Sequence, residues 1–164
     1  MSASPTIRAA FASDVPLILA FIRELAAYEK LADEVVATED GLAATLFSGA
    51  PRAEVLIAEV DGAAVGFALF FHNYSTFLGQ PGIFLEDLFV RPDVRARGVG
   101  RALLCRLAAI AGERGCGRLE WAVLDWNAAA IGFYERLGAT PRKEWTTFRL
   151  AGTELARLAG TERD

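Results

Sequence analysis

Two stretches of this 164-residue chain hold residues that packing alone does not easily explain. Glu86 and Asp87 stand side by side within an otherwise apolar run, Ile83 to Val90. Adjacent carboxylates are costly to bury without partners, and neighbouring residues of a strand face opposite sides. Either one of them is paired structurally and the other lies at a strand edge, or together they form an acidic pocket for a cation. Immediately after this run comes Arg95-Ala96-Arg97-Gly98-Val99-Gly100, followed by a helical pattern. Glycines let a backbone approach a ligand closely, and the first N–H groups of a helix lack internal partners. The helix dipole, with Arg95 and Arg97, adds positive charge. Such a cradle suits pyrophosphate; the alternative is a glycine-assisted turn with exposed arginines. Neither G-x-x-x-x-G-K-[ST] nor G-x-G-x-x-G is present, so two common nucleotide loops are excluded.

The elements around these residues follow from periodicity. Ser13 is expected to cap a first helix with apolar positions from Val15 to Tyr28 at helical spacing. Thr38 is expected to cap a shorter helix carrying Leu42, Thr45, Leu46 and Phe47, which Gly49 and Pro51 end. Val55–Val60 and Ala63–Phe71 read as strands joined by an Asp61-Gly62 hairpin turn. The polar segment His72–Gly82 reads as strand end and loop, and Ile83–Val90 as a strand buried on both faces. A helix from Val99 to about Gly112, a strand Leu119–Leu124 and a helix from Asn127 to Gly138 complete the core pattern. Trp145–Leu150 alternates enough for a final strand, and Thr153–Leu158 for a terminal helical turn or two. The expected fold is α/β in the broad sense, a mixed sheet with helices on both faces and a right-handed parallel crossover in its second half.

Composition narrows the classes. The length fits one domain, taken as 1–164. A net charge of −4, with no basic run, argues against nucleic acid and for a cationic partner. One histidine, His72, and two cysteines, Cys105 and Cys116, leave a metal site without ligands and a structural disulfide improbable. No apolar stretch reaches the roughly 20 residues of a membrane span, and Met1–Arg8 lacks the pattern of a signal peptide. The expectation is a soluble, cytoplasmic, metal-free protein.

Arg95-Ala96-Arg97-Gly98-Val99-Gly100, between a strand and a helix, resembles the Arg/Gln-x-x-Gly-x-Gly/Ala loop of the GNAT N-acetyltransferase superfamily. Asp125-Trp126-Asn127, with Ile131-Gly132-Phe133-Tyr134 and Leu137-Gly138-Ala139, resembles that superfamily's second cofactor motif. Taken alone, Tyr134 reads as a core residue of a capped amphipathic helix. The resemblance implies a GNAT-type fold, with a central mixed, mostly antiparallel sheet flanked by helices, and acetyl-CoA as co-substrate without a metal. Its cofactor set would be Leu88, Phe89, Val90, Arg95, Ala96, Arg97, Gly98, Val99, Gly100, Arg101, Asn127, Phe133 and Tyr134. Within it, N–H groups from Arg97 to Gly100 would hold the pyrophosphate, and Leu88 and Val90 would lie along the pantetheine arm. The Val90 N–H would polarise the thioester carbonyl. An acid with pKa near 10 stays protonated at neutral pH and can protonate a leaving thiolate, the role implied for Tyr134.

Tyr28-Glu29-Lys30, Leu85-Glu86-Asp87-Leu88-Phe89-Val90, Trp126-Asn127 and Phe133-Tyr134 together resemble the diamine and polyamine branch, which includes spermidine/spermine and thialysine N-acetyltransferases. By that resemblance Glu86, Asp87, Tyr28, Glu29 and Trp126 line an amine pocket. Glu86 or Asp87 would accept the ammonium proton, directly or through water, before direct attack in a ternary complex. His72-Asn73-Tyr74-Ser75-Thr76-Phe77-Leu78-Gly79 departs from the polyamine-specific pattern. The branch implies a homodimer, with Trp145–Leu150 as a candidate participant. Two rival readings remain: an acetyltransferase for another amine (an amino acid, an antibiotic or a protein N-terminus), and a non-catalytic acyl-CoA-binding module on the same fold.

Overall fold

The computed structural model describes residues 4–161. The chain divides into two compact units, Met1–Leu124 and Asp125–Asp164.

The first unit is built on a five-stranded sheet in the order β1-β2-β3-β4-β5. The strands are β1 (Thr6–Ala9), β2 (Glu54–Val60), β3 (Ala63–Ser75), β4 (Gln80–Val90) and β5 (Leu119–Trp121). Successive strands from β1 to β4 pair antiparallel, while β5 joins β4 in parallel. Its helices are α1 (Val15–Tyr28), α2 (Glu39–Leu46) and α3 (Val99–Glu113). The β2–β3 turn places Asp61 at φ 53° and Gly62 at φ 79°. Two consecutive positive φ values are what a type I′ hairpin demands, as the Asp-Gly pair predicts.

Both faces of the sheet are covered. Val55 and Ile57 of β2, Phe67 of β3 and Phe89 of β4 pack with Ile18, Phe21 and Leu25 of α1 and Leu46 of α2. The Phe21 and Phe67 rings stack at 5.5 Å. The pleat sends Leu56 and Ala58 the other way, where they are equally buried. That face falls to α3, which touches β1 through β5 and buries Val99, Leu103, Leu107 and Ile110.

Three boundaries differ from expectation. Ser13 does not cap α1. Asp14 takes the N-cap position, and its carboxylate turns back to accept from the Phe11 N–H at 2.7 Å and from Arg8. The segment His72–Gly82 is mostly ladder, since residues 72–75 of β3 pair with residues 80–83 of β4 beyond the apolar core. β5 stops at Trp121 rather than Leu124, its last partner being Leu85, one residue before an irregularity in β4.

The second unit contains α4 (Ala128–Arg136) and α5 (Gly152–Leu158). Asn127 caps α4, its Oδ1 accepting from the Ala130 N–H at 3.2 Å, and Gly138 follows with φ 90°. The expected strand Trp145–Leu150 is irregular. No described strand pairs with it, and a lone strand leaves its backbone groups without a ladder. Its Trp145 and Phe148 are 71% and 93% exposed.

Candidate active site

A β-bulge in β4 organises the site. Phe70 pairs with Leu85 and Leu69 with Asp87, so Glu86 is the extra residue with no opposite number in β3. One inserted residue reverses which face later side chains take. Leu85 shares a face with Phe70, over which Arg114, just past the end of α3, places its guanidinium at 6.0 Å. Asp87 and Phe89, also odd-numbered, lie on the α1 face, where Phe89 meets Phe21 at 6.1 Å. Without the bulge Asp87 would point at α3.

The same insertion reverses the hydrogen-bonding edge. The Ile83 N–H donates toward the β5 side, to Arg118 O at 3.0 Å, whereas the Arg91 N–H donates toward β3, to Val65 O at 2.9 Å. Counting back by the two-residue period from Arg91, the N–H groups of Val90 and Leu88 face the side where β5 has already ended. Among the described residues no strand pairs with this edge of β4, so a row of backbone donors lies directly beyond the acidic pair. Phe89 has its side chain in the core and its backbone paired with Phe67 of β3.

The acidic residues meet at this point. Burial pushes the Asp87 carboxyl from the ordinary 3.8 up to about 6, and the negative charges of Glu86 and then Glu29 push the same way. Burial also raises Glu29. Glu29 is delivered by the end of α1, which closes in a Schellman motif: the Leu31 N–H donates to Ala26 O at 2.8 Å and the Lys30 N–H to Ala27 O at 3.2 Å. Lys30 occupies the left-handed position at φ 62°, a conformation a non-glycine residue rarely adopts. Three of the expected pocket residues are therefore brought together. Tyr28 stands beside them, its ring 4.5 Å from the guanidinium carbon of Arg95.

After β4 the chain makes a short 3-10 turn, Pro92–Val94, before the glycine loop. Ala96 has φ 64° and Gly98 φ 79°. Gly98 is the N-cap of α3 and contributes no side-chain cap; its carbonyl accepts from the Ala102 N–H at 2.9 Å. The N–H groups of Val99, Gly100 and Arg101 therefore open the helix without intrahelical partners, an anion cradle of the kind pyrophosphate fits. Arg97 approaches Asp61 at 3.7 Å.

Sequence reasoning missed two supports. Arg91 donates to both oxygens of Glu24, at 3.1 and 2.9 Å, and lies 5.0 Å over the Phe21 ring, so it fastens α1 to the end of β4. Glu24 sits four residues before Tyr28, on the same helical face, which was the available signal. Gly66 lies opposite Val90, and a Cβ there would come 2.5 Å from Phe89 O. In the second unit, Trp126 is 51% exposed and Asn127 is buried at its cap. The Phe133 and Tyr134 rings lie 5.4 Å apart at 52°. No cluster of potential metal ligands occurs among the described residues, and no described helix is long and apolar enough to cross a membrane.

A bulged strand running into an uncapped glycine loop sets backbone donors at a helix N-terminus where an anionic ligand can sit. Residues 22–139 match the Acetyltransferase (GNAT) family, and the chain belongs to that family of N-acetyltransferases. Among its relatives is a thialysine N-epsilon-acetyltransferase of Bos taurus, 40% identical, the match covering 94% of this chain and 96% of that one. An L-ornithine N5-acetyltransferase of Arabidopsis thaliana is 36% identical over 93% of this chain and 86% of its own. An integron cassette protein from the mobile metagenome of V. cholerae has a similar structure, with TM-score 0.80 and 28% identity, covering 96% and 98% of the two chains.

Proposed function

We propose that the chain, acting as one domain over 1–164, transfers acetyl from acetyl-CoA to the primary amine of a small cationic acceptor. Diamines, polyamines and thialysine-like amino acids are the acceptor class. The observation that carries this reading is the convergence of Glu29, Glu86 and Asp87 beside the free edge of β4, with Asp87 raised to about 6 by burial and by its two acidic neighbours. A cation relieves such a pocket, and a carboxyl tuned toward neutrality can accept a proton at working pH. Alkyl ammonium has a pKa near 10.4, so a proton must leave the acceptor before it can attack. The names of the thialysine and ornithine relatives support an amine carried by an amino acid or a similar small molecule.

Acetyl-CoA supplies the activated acetyl group. The backbone donors at Val99, Gly100 and Arg101, helped by the charge of Arg97, hold its pyrophosphate. Leu88 and Val90 offer N–H groups to its arm, and that of Val90 polarises the thioester carbonyl. Glu86 or Asp87 takes the ammonium proton, directly or through water. The neutral amine then attacks in a ternary complex, and Tyr134, assigned from its place in the Asn127–Gly138 motif, protonates the departing thiolate. A homodimer in which Trp145–Leu150 gains partners, and a cytoplasmic location suited to the free Cys105 and Cys116, belong to the same proposal.

The test is thiol release from acetyl-CoA with putrescine, spermidine, thialysine, lysine and an N-terminal peptide as acceptors. Turnover with a diamine or thialysine, lost in Glu86→Gln or Asp87→Asn, supports the reading. Turnover confined to the peptide would assign the pocket to another amine class.

A further inference from the structure

Arg95 opens the loop assigned to pyrophosphate, yet its side chain is engaged elsewhere. Its Nε donates to Val90 O at 3.1 Å, and its guanidinium carbon lies 4.5 Å from the centre of the Tyr28 ring. One planar group therefore touches the last turn of α1 and the last residue of β4 at once. Those are the two ends that deliver Glu29 and Asp87 to the pocket. The flat guanidinium face suits an aromatic ring while its edge still donates, a combination an ammonium group cannot supply.

From this geometry we infer that Arg95 is a positioning residue for the amine pocket, holding the end of α1 against the end of β4, rather than chiefly a phosphate ligand. The inference rests on the acceptor pocket proposed above. Two contacts set its consequences. Losing the stack removes this hold on Tyr28, one residue before Glu29. Losing the Nε–H leaves Val90 O, at the open edge of β4, without this donor. The amine site loosens while the N–H cradle of α3, made of backbone, stays intact.

The experiment compares the full-length protein with Arg95→Met, which keeps the aliphatic stem, and with Arg95→Lys. Each is read by three measurements: hydrogen exchange of the amides from Leu25 to Leu31 in the free protein, calorimetric binding of acetyl-CoA, and steady-state kinetics with thialysine. An exposed cation–π contact corresponds to a factor of about two to five. Arg95→Met is expected to speed exchange at the end of α1 and to raise the thialysine KM by about that factor. The acetyl-CoA Kd and kcat should move less, and Arg95→Lys should restore the KM only in part. In a Tyr28→Leu background the second substitution is expected to add less to exchange and KM than it does in wild type, because only the Nε contact to Val90 O is left to lose. A large rise in the acetyl-CoA Kd, with exchange and thialysine KM unchanged, would overturn the inference and return Arg95 to the phosphate. If the wild-type protein does not turn over thialysine, the acceptor reading fails. The exchange comparison between the single and double substitutions then still decides the role of Arg95.

Discussion

Replacing Asp87 with asparagine should stabilise the fold, and by an amount that grows with pH. The carboxyl titrates near 3.8 in an unfolded chain and is pushed up to about 6 in the folded one, first by burial and then by the charges of Glu86 and Glu29. Its ionised form is therefore less welcome folded than unfolded. Below about pH 3 the group is largely protonated in both states and nothing is lost. As pH rises the unfolded chain gives up the proton first, and the penalty grows until the folded carboxyl has ionised as well, above about pH 6. A shift of this size corresponds to about 3 kcal/mol in full. Solvent at the pocket screens part of it, so about 1–2 kcal/mol is expected. Urea unfolding of wild type and Asp87→Asn at pH 4.5 and pH 8 reads the difference, and taking it between pH values cancels any constant effect of the amide. The midpoint advantage of the variant should be larger at pH 8, with the slope unchanged. An advantage that is flat, or that shrinks toward pH 8, would mean that Asp87 is not held among like charges.

Other consequences are as direct. In wild type, kcat/KM for a diamine should rise through about pH 6 and level off as Asp87 ionises, provided Asp87 rather than Glu86 takes the proton; a profile featureless between pH 5 and 7 would exclude Asp87. Tyr134→Phe should lower kcat by about a hundredfold or more while acetyl-CoA still binds; retained kcat would remove Tyr134 from proton transfer. Gly66→Ala should destabilise by about 1–3 kcal/mol in urea, because its Cβ would sit 2.5 Å from Phe89 O, and an unchanged midpoint would mean that β3 and β4 can separate freely. Light scattering should give a homodimer, and a monomer at micromolar concentration would contradict the assembly proposed.

Much of this was legible in the sequence for identifiable reasons. Asp61-Gly62 fixes a hairpin because few other pairs tolerate two positive φ values in a row. Asn127 and Gly138 announce both ends of α4 through local hydrogen bonding and local backbone freedom. The glycine loop could be placed at the mouth of α3 for the same kind of reason. What stayed hidden depends on partners remote in sequence. The bulge at Glu86 arises from the register between β3 and β4, and only that register shows why Asp87 turns toward Glu29. Two adjacent carboxylates in an apolar run hinted at a break in alternation without revealing its geometry. Asp14 displaces Ser13 as cap because Arg8, six residues back, holds its carboxylate. Trp145–Leu150 has the alternation of a strand, but alternation cannot create the neighbour a strand requires. The Arg91–Glu24 pair spans 67 positions, so the spacing of Glu24 and Tyr28 could mark a shared helical face without revealing Arg91 as the partner.

The most direct test of the acidic pocket is steady-state thiol release from acetyl-CoA with thialysine at pH 8, wild type against Asp87→Asn, with acetyl-CoA affinity measured alongside. The account predicts turnover by wild type and a loss of at least about tenfold in kcat/KM for the variant, the order expected when a charge-assisted contact or a general base is removed. Acetyl-CoA affinity should hold and stability at pH 8 should rise. Equal turnover by the two proteins, with the variant folded, would contradict the claim that this carboxylate cluster recognises the amine.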